Sequence, residues 1–430
     1  MNPTATETVL SSSCSSLALT PCTSQQLVIL VGGKGTRLGS LSQSTPKPLM
    51  QIDERQVFLD FLLDGALRQG FRHVLMIAGH LGEQVAERYA HRRIWGADID
   101  VLIEPEPMGT AGALAFAKQA LADRFILMNG DTIFDTNIRA VDALLSSKPD
   151  AACSISLREI DDVSRYGAVD VDNDGHVVRF QEKNPNTAQK NGVINAGIYA
   201  LRRSVLDLIP DRPTSLEQDV LPVLADRRQI VGIASSGYFL DIGLPETLQQ
   251  AQKDLPSRTR PVIFFDRDGV LNIDHGYTHS LDQWEWVPGA MAAIKAANDA
   301  GIAVVVVTNQ AGVARGYYGE PDIWRLHHHI QQQLNLHGAF IDQFYYCPDH
   351  PDAVVDSYRA PAPLGRKPSP AMLSRAIRQL RLNREKAIFV GDQQSDMDAA
   401  AALGIPGLYF KGGQLDDFLF NSPAWASLIS

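Results

Sequence analysis

The sequence predicts two consecutive α/β domains, each organised around a mainly parallel sheet. Its 430 residues, 45% hydrophobic and 20% charged, bury a larger core than one typical domain holds. Two apolar runs, Leu27 to Val31 and Val262 to Phe265, each lead straight into a polar, glycine-containing loop, so each reads as the first strand of its own domain. Beyond each start, apolar runs of strand length alternate with segments of helical period, the pattern that puts helices between parallel strands.

In chain order, Met1 to Gln26 is Ser/Thr-rich, lacks the basic start and apolar stretch of a secretory signal, and reads as a disordered tail. A first domain is expected over 27–252, with strands at His73 to Ile77 and Phe125 to Met128 and a helix at Phe58 to Arg68. Two prolines and mixed charge between Lys253 and Pro261 mark a linker, taken as 253–260. The second domain, 261–430, continues with strands at Ile302 to Val307 and Ala387 to Val390. There is no short internal repeat.

The net charge of -10 is spread along the chain, which excludes a nucleic-acid partner but leaves small, locally held anions as ligands. Cys14, Cys22, Cys153 and Cys347 are too few and too scattered for a disulfide framework, which fits a cytoplasmic location. No apolar run reaches the roughly 18 residues of a membrane helix, so no membrane partner is expected.

The first strand is followed by Gly32-Gly33-Lys34-Gly35-Thr36-Arg37-Leu38 and then Pro46-Lys47-Pro48. Glycines let backbone N–H groups approach a triphosphate, and Arg37 and Lys47 supply positive charge for phosphoryl oxygens. The run is neither a P-loop, because Gly35 follows Lys34, nor a dinucleotide fingerprint, because Leu38 stands where a glycine is needed. Asn129-Gly130-Asp131 places a carboxylate at a strand end, where open α/β sheets bind ligands, and Asp241 is a second carboxylate for a magnesium site. Either aspartate alone would read as a turn or helix cap.

The second strand start runs into Asp266-Arg267-Asp268. Two residues apart in extended chain, both carboxylates project to one side: one to attack phosphorus, the other to protonate the leaving alcohol and then activate water. Thr308 and Asn309 offer a hydroxyl and an amide to the phosphoryl oxygens, Lys367 beside Arg366 offers a cation, and Asp392 can hold magnesium with Asp266.

From Gly32 to Pro48 the chain resembles the sugar nucleotidyltransferases, whose motif GGxGTRL is followed by PKP. The resemblance implies a Rossmann-like, glycosyltransferase A-type domain with Gly32, Gly33, Gly35, Thr36, Gly109 and Thr110 by the nucleotide. It further implies Gly79 and Gln84 at the base, Glu182, Lys183 and Asn195 at the sugar phosphate, and magnesium on Asp131 and Asp241. Leu27 to Met50 and Asn129 to Thr132 look most like heptose-1-phosphate guanylyltransferases, with mannose 1-phosphate and other sugar phosphates left open.

Likewise, Asp266 to Asn272, Asp274 to Tyr277 and Thr308 to Arg315 resemble the heptose-bisphosphate 7-phosphatases of the haloacid dehalogenase superfamily, with histidinol phosphatases next. That resemblance implies a second Rossmann-like domain and magnesium on Asp266, Asp268 and Asp392. Relatives commonly carry a zinc loop of four cysteine and histidine ligands. Here Cys347-Pro-Asp349-His350 keeps at most two and Ala360 to Gly365 has no cysteine, so zinc is not expected. Together the resemblances imply a bifunctional enzyme acting on heptose phosphates and GTP, feeding surface-polysaccharide assembly. A non-catalytic second domain is the competing reading, and oligomeric state is open.

Three tempting features have bland readings. His327-His328-His329 point in different directions on a helix and read as a solvated face. Trp284 and Trp286 read as packing beside Val287, and Cys153 as a small buried side chain.

Overall fold

The computed structural model describes residues 26–33, 35–161, 163, 168–180 and 191–429. Glu182 and Lys183 lie outside them, as do Cys14, Cys22 and residues 1–25 of the expected tail. Gln26 opens the first strand instead.

The first half forms an eight-stranded sheet. At its centre Gln26–Leu30 pairs in parallel with His73–Ala78 on one side and Arg124–Asn129 on the other. Ala97–Ile103 continues the parallel set beyond His73–Ala78, and Arg92–Ile94 closes that edge antiparallel. Past Arg124–Asn129 the direction changes: Gly192–Arg202 runs antiparallel to it and to Cys153–Ile160, with Ile230–Ser235 at the far edge. The central strands are buried on both faces, which is why they read as unbroken apolar runs. Helix Phe58–Arg68 buries Phe58, Leu59, Leu62, Leu63, Ala66 and Leu67 against them, a stripe of helical period.

The second half is a five-stranded, all-parallel sheet in the order Gln343–Cys347, Ala303–Asn309, Arg260–Phe265, Leu382–Gly391, Gly407–Tyr409. Both halves are thus Rossmann-like α/β layers. Between them, helix Pro245–Asp254 runs into a 3-10 turn at Leu255–Ser257, and Arg260 already pairs in the second sheet. No helix among the described residues is long and apolar enough to cross a membrane.

The histidine run is corrected in part. His327 is fully buried and stacks on Phe344 with ring centroids 4.2 Å apart, and burial holds its pKa well below the ordinary imidazole value. The helix Glu320–Leu336 turns that one ring inward beside Ile323, Leu326 and Ile330. Trp284 and Trp286 pack edge to face at 5.0 Å beside the core, and Cys153 is buried with its thiol pKa raised by desolvation.

Candidate active sites

In the first domain the carboxyl ends of the parallel strands line one cavity of about 350 Å³. Gly32 and Gly33 follow the first strand, Asn129 and Asp131 lie on one side of it, and Glu104, Pro107, Gly109 and Thr110 lie on the other. Gly32 and Gly79 have to be glycines. A Cβ on Gly79 would sit 2.9 Å from both the Gly32 carbonyl and Glu104 Oε2. Gly109 has φ +76°, and a Cβ there would meet the Thr214 carbonyl at 2.5 Å. Gly35 also takes a left-handed φ, +59°, where the chain turns towards Lys47.

Lys47 is buried and joins two carboxylates distant in sequence, with Nζ 2.6 Å from Asp131 Oδ2 and 3.4 Å from Asp241 Oδ1. A short antiparallel ladder, Thr132–Phe134 with Phe239–Asp241, brings Asp241 there. Arg37 joins them: a Cβ on Gly243 would lie 3.3 Å from its Nη2 and 3.5 Å from Lys47 Nζ. Asp131 and Asp241 are balanced in charge by Lys47 and Arg37, and their carboxylate oxygens are the hard donors that magnesium takes together with substrate phosphates.

Thr110 donates to Glu217 Oε2 at 2.8 Å and accepts from the Leu216 N–H at 2.7 Å. Asn195 donates to the Tyr199 hydroxyl, which donates on to Glu217. Gln84 is not brought to the cavity; its amide donates to the Ser44 carbonyl at 2.9 Å. Glu104 is the residue that motif reading missed. Burial raises its pKa, and its Oε1 is buried without a hydrogen-bond partner. A carboxylate ending a strand before Pro105 and Pro107 is the only local signal it gives.

In the second domain a cavity of about 420 Å³ contains Asp266, Asp268, Thr308, Asn309, Arg366, Lys367 and Asp392, again at the carboxyl ends of parallel strands. Lys367 is fully buried, with Nζ 2.8 Å from Asp266, 2.7 Å from Asp396 and 3.0 Å from the Val307 carbonyl. Asn309 and Lys367 exchange side-chain and backbone hydrogen bonds that fix the lysine's loop. Burial pushes the Asp266 pKa up to about 7, while Lys367 pulls against that shift. The Lys367 pKa is raised although its own burial opposes it, because Asp266 and Asp396 flank the ammonium.

Asp266, Asp392 and Asp396 offer carboxylate oxygens within 4.8 Å of one another. Asp392 Oδ1 is buried and without a hydrogen-bond partner, and desolvation raises that group's pKa, so a cation fits there. Asp396 was not legible as part of this group, since it looks like a helix-start residue and does cap Gln394–Leu403 by accepting from the Gln393 N–H. Asp268 turns its oxygens elsewhere, to Arg267 and Gln310. Arg315 and Arg366 line the same cavity with His350 and Tyr277. The loop after Cys347 is tied by hydrogen bonds: the His350 N–H donates to the Tyr358 carbonyl, and Glu320 accepts from the Tyr346 and Tyr358 hydroxyls.

The family model for nucleotidyl transferases matches residues 26–258, and that for haloacid dehalogenase-like hydrolases matches 201–404. The overlap, 201–258, contributes its strands to the first sheet and the ladder. The second half is 41% identical over 160 residues to a D-glycero-beta-D-manno-heptose-1,7-bisphosphate 7-phosphatase of Rhodopseudomonas palustris, covering 37% of this chain and 88% of that protein. The first half is 33% identical over 233 residues to a D-glycero-alpha-D-manno-heptose 1-phosphate guanylyltransferase of Aneurinibacillus thermoaerophilus, covering 54% of this chain and 98% of that protein. It is also 33% identical over 248 residues to a mannose-1-phosphate guanylyltransferase catalytic subunit beta of Danio rerio, covering 54% and 67%.

Proposed function

The chain belongs to the nucleotidyl transferases through its first half and to the haloacid dehalogenase-like hydrolases through its second, and from that premise we propose a bifunctional enzyme of nucleotide-heptose synthesis. The second domain removes the 7-phosphate of heptose 1,7-bisphosphate, and the first joins the resulting 1-phosphate to GMP from GTP, releasing pyrophosphate. The observation that carries this reading is a pair of further cations beside Lys367 in the phosphatase cavity. Arg315 and Arg366 line it together with the Asp266 nucleophile, matching a substrate with two phosphates better than a monophosphate.

In the phosphatase step an Asp266 oxygen attacks phosphorus while Thr308 and Lys367 hold the phosphoryl oxygens. Asp268 gives its proton to the leaving oxygen and then takes one from the water that cleaves the acyl phosphate. In the transferase step Arg37 and Lys47 hold the triphosphate, the glycine turn lets backbone N–H groups approach it, Thr110 lies by the nucleotide, and Asn195 orients the sugar phosphate. Magnesium would be held by Asp131 and Asp241 in one domain and by Asp266 and Asp392 in the other, supplying charge that offsets the phosphoryl oxygens.

Glu104 lines the transferase cavity, and guanine alone among the common bases presents N1–H and a 2-amino group side by side to one carboxylate, which supports GTP as the nucleotide. The mannose-1-phosphate reading stays second, because the first domain is equally identical to both kinds of guanylyltransferase. The relatives also differ in anomer, beta for the phosphatase and alpha for the guanylyltransferase, whereas one chain carrying both steps needs a common anomer.

The test supplies both anomers of heptose bisphosphate, then heptose 1-phosphate and mannose 1-phosphate, each with GTP and magnesium, with products identified by mass. Asp266→Asn is expected to abolish nucleotide-sugar formation from the bisphosphate and to spare it from heptose 1-phosphate. Phosphate release without any nucleotide-heptose from either anomer would sink the proposal.

A further inference from the structure

Asp268 is the carboxylate that meets the leaving group, and its surroundings are unusually complete. Arg267, between the two aspartates in sequence, is fully buried and turns back on Asp268. Its Nη2 lies 3.0 Å from Oδ1 and 2.9 Å from Oδ2, and its Nε 3.2 Å from Oδ1. The same Nη2 reaches the Thr278 carbonyl at 2.6 Å and Gln310 Oε1 at 3.1 Å. Gln310, also buried, donates through Nε2 to Asp268 Oδ2 at 2.8 Å and to the Thr308 hydroxyl at 2.9 Å. The Tyr318 hydroxyl donates to Gln310 Oε1 at 2.8 Å, which fixes the way the amide points.

We propose that Arg267 and Gln310 are positioning residues for Asp268, locking its carboxylate in the orientation from which it serves the leaving oxygen. Each Asp268 oxygen is engaged by a donor from a side chain that is itself held at other points, so the carboxylate has one rotamer in place of several. The Asp268 side chain is 20% exposed, so it retains an open edge in the cavity lined by Asp266 and Thr308. Gln310 ties this edge to Thr308, so the phosphoryl-binding hydroxyl and the proton donor are set by one amide. As the Asp266 oxygen bonds to phosphorus and the bond from phosphorus to the substrate oxygen breaks, the proton on Asp268 passes to that oxygen. Water then attacks phosphorus, returns a proton to Asp268 and frees Asp266.

The inference rests on the phosphatase reading and is tested on leaving-group dependence, with kcat/KM as the readout because it reports the first transfer. An alkyl phosphate, here heptose 1,7-bisphosphate, needs its leaving oxygen protonated. Para-nitrophenyl phosphate does not. Gln310→Met also releases the Thr308 hydroxyl, which both substrates use, so kcat/KM is expected to fall on both, with the alkyl substrate losing at least about tenfold more than the aryl one, within the range of general acid catalysis. On para-nitrophenyl phosphate it should also give a burst of nitrophenol, since the second step uses the same carboxylate.

Tyr318→Phe, which keeps the ring and loses only the hydroxyl, should show the same asymmetry at smaller size. Added to Asp268→Asn, either change should cost little more, because the residues act as one unit. Equal losses on both substrates would overturn the inference while leaving the phosphatase reading in place. A wild-type protein that hydrolyses neither substrate would overturn the reading itself.

Discussion

Lys47 Nζ lies between two carboxylates, and the pair is only as well placed as that buried ammonium. Lys47→Met removes the shared cation and leaves Asp131 and Asp241 to repel each other. The expected result is a loss of at least about 100-fold in nucleotide-sugar formation, the scale of a lost charge-stabilising donor, with phosphate release from the second domain unchanged. Both rates can be followed in one reaction. His327 makes a separate prediction. Both of its ring nitrogens are buried without a hydrogen-bond partner, and burial keeps the folded ring neutral. The unfolded chain takes up a proton below about pH 6.5 and the folded chain does not, so the native state loses stability as pH falls through that value and keeps it above. Denaturant titrations at neutral and mildly acidic pH should show His327→Phe gaining on wild type as pH falls. A constant difference between the two proteins would rule this out.

The ladder of Thr132–Phe134 with Phe239–Asp241 is the element on which the transferase site depends, because it alone carries Asp241 to Asp131. Its entry is tight: a Cβ on Gly237 would lie 1.7 Å from the Asp135 carbonyl. Gly237→Ala therefore displaces the ladder, and transferase activity should fall at least about tenfold with phosphatase activity intact, as assays of the two reactions in parallel would show. Nothing local announces this ladder, whose strands pair three residues each across more than a hundred positions. The same holds for the antiparallel pairing of Gly192–Arg202 with Arg124–Asn129. What the sequence did make legible is what burial writes directly into it. Strands buried on both faces become apolar runs, and the helix Phe58–Arg68 carries a stripe of buried residues at helical spacing. Motif residues at strand ends were legible for the same reason, since the strand announces its own end. Glu104 and Asp396 were not: a carboxylate after a strand or at a helix start has an ordinary structural use, and only the third dimension aims it at a cavity. His327 was misread because three polar residues in a row hide the single inward position.

Across the whole molecule, the two sheets are joined by more than the chain between them. Asn137 caps the helix Ile138–Ser147 by accepting from the Ala140 N–H, and its amide donates at 2.7 Å to both Asp299 and the Gly338 carbonyl of the second domain. Arg381 of the second domain also reaches back to Gln56 of the first at 2.7 Å. Asn137→Ala removes the cap, costing about 1 kcal/mol, together with both bridging bonds. Calorimetry should then show the two domains unfolding further apart in temperature, with both activities retained. The interface fixes the domains to each other without merging their sites. Among the described residues the transferase cavity is lined by residues between Leu30 and Asp131, and the phosphatase cavity by residues between Asp266 and Ser395, so neither borrows a wall from the other. Two separately lined cavities lead to the prediction that a sugar phosphate released from one reaches the other through solvent. An equimolar mixture of Asp266→Asn and Lys47→Met proteins should accordingly convert heptose bisphosphate and GTP to nucleotide-heptose, after a lag in which heptose 1-phosphate accumulates. Each variant alone should fail at its own step. If the mixture also fails, although each variant retains its other activity, the intermediate is handed over within one molecule and the separateness of the two cavities is only apparent.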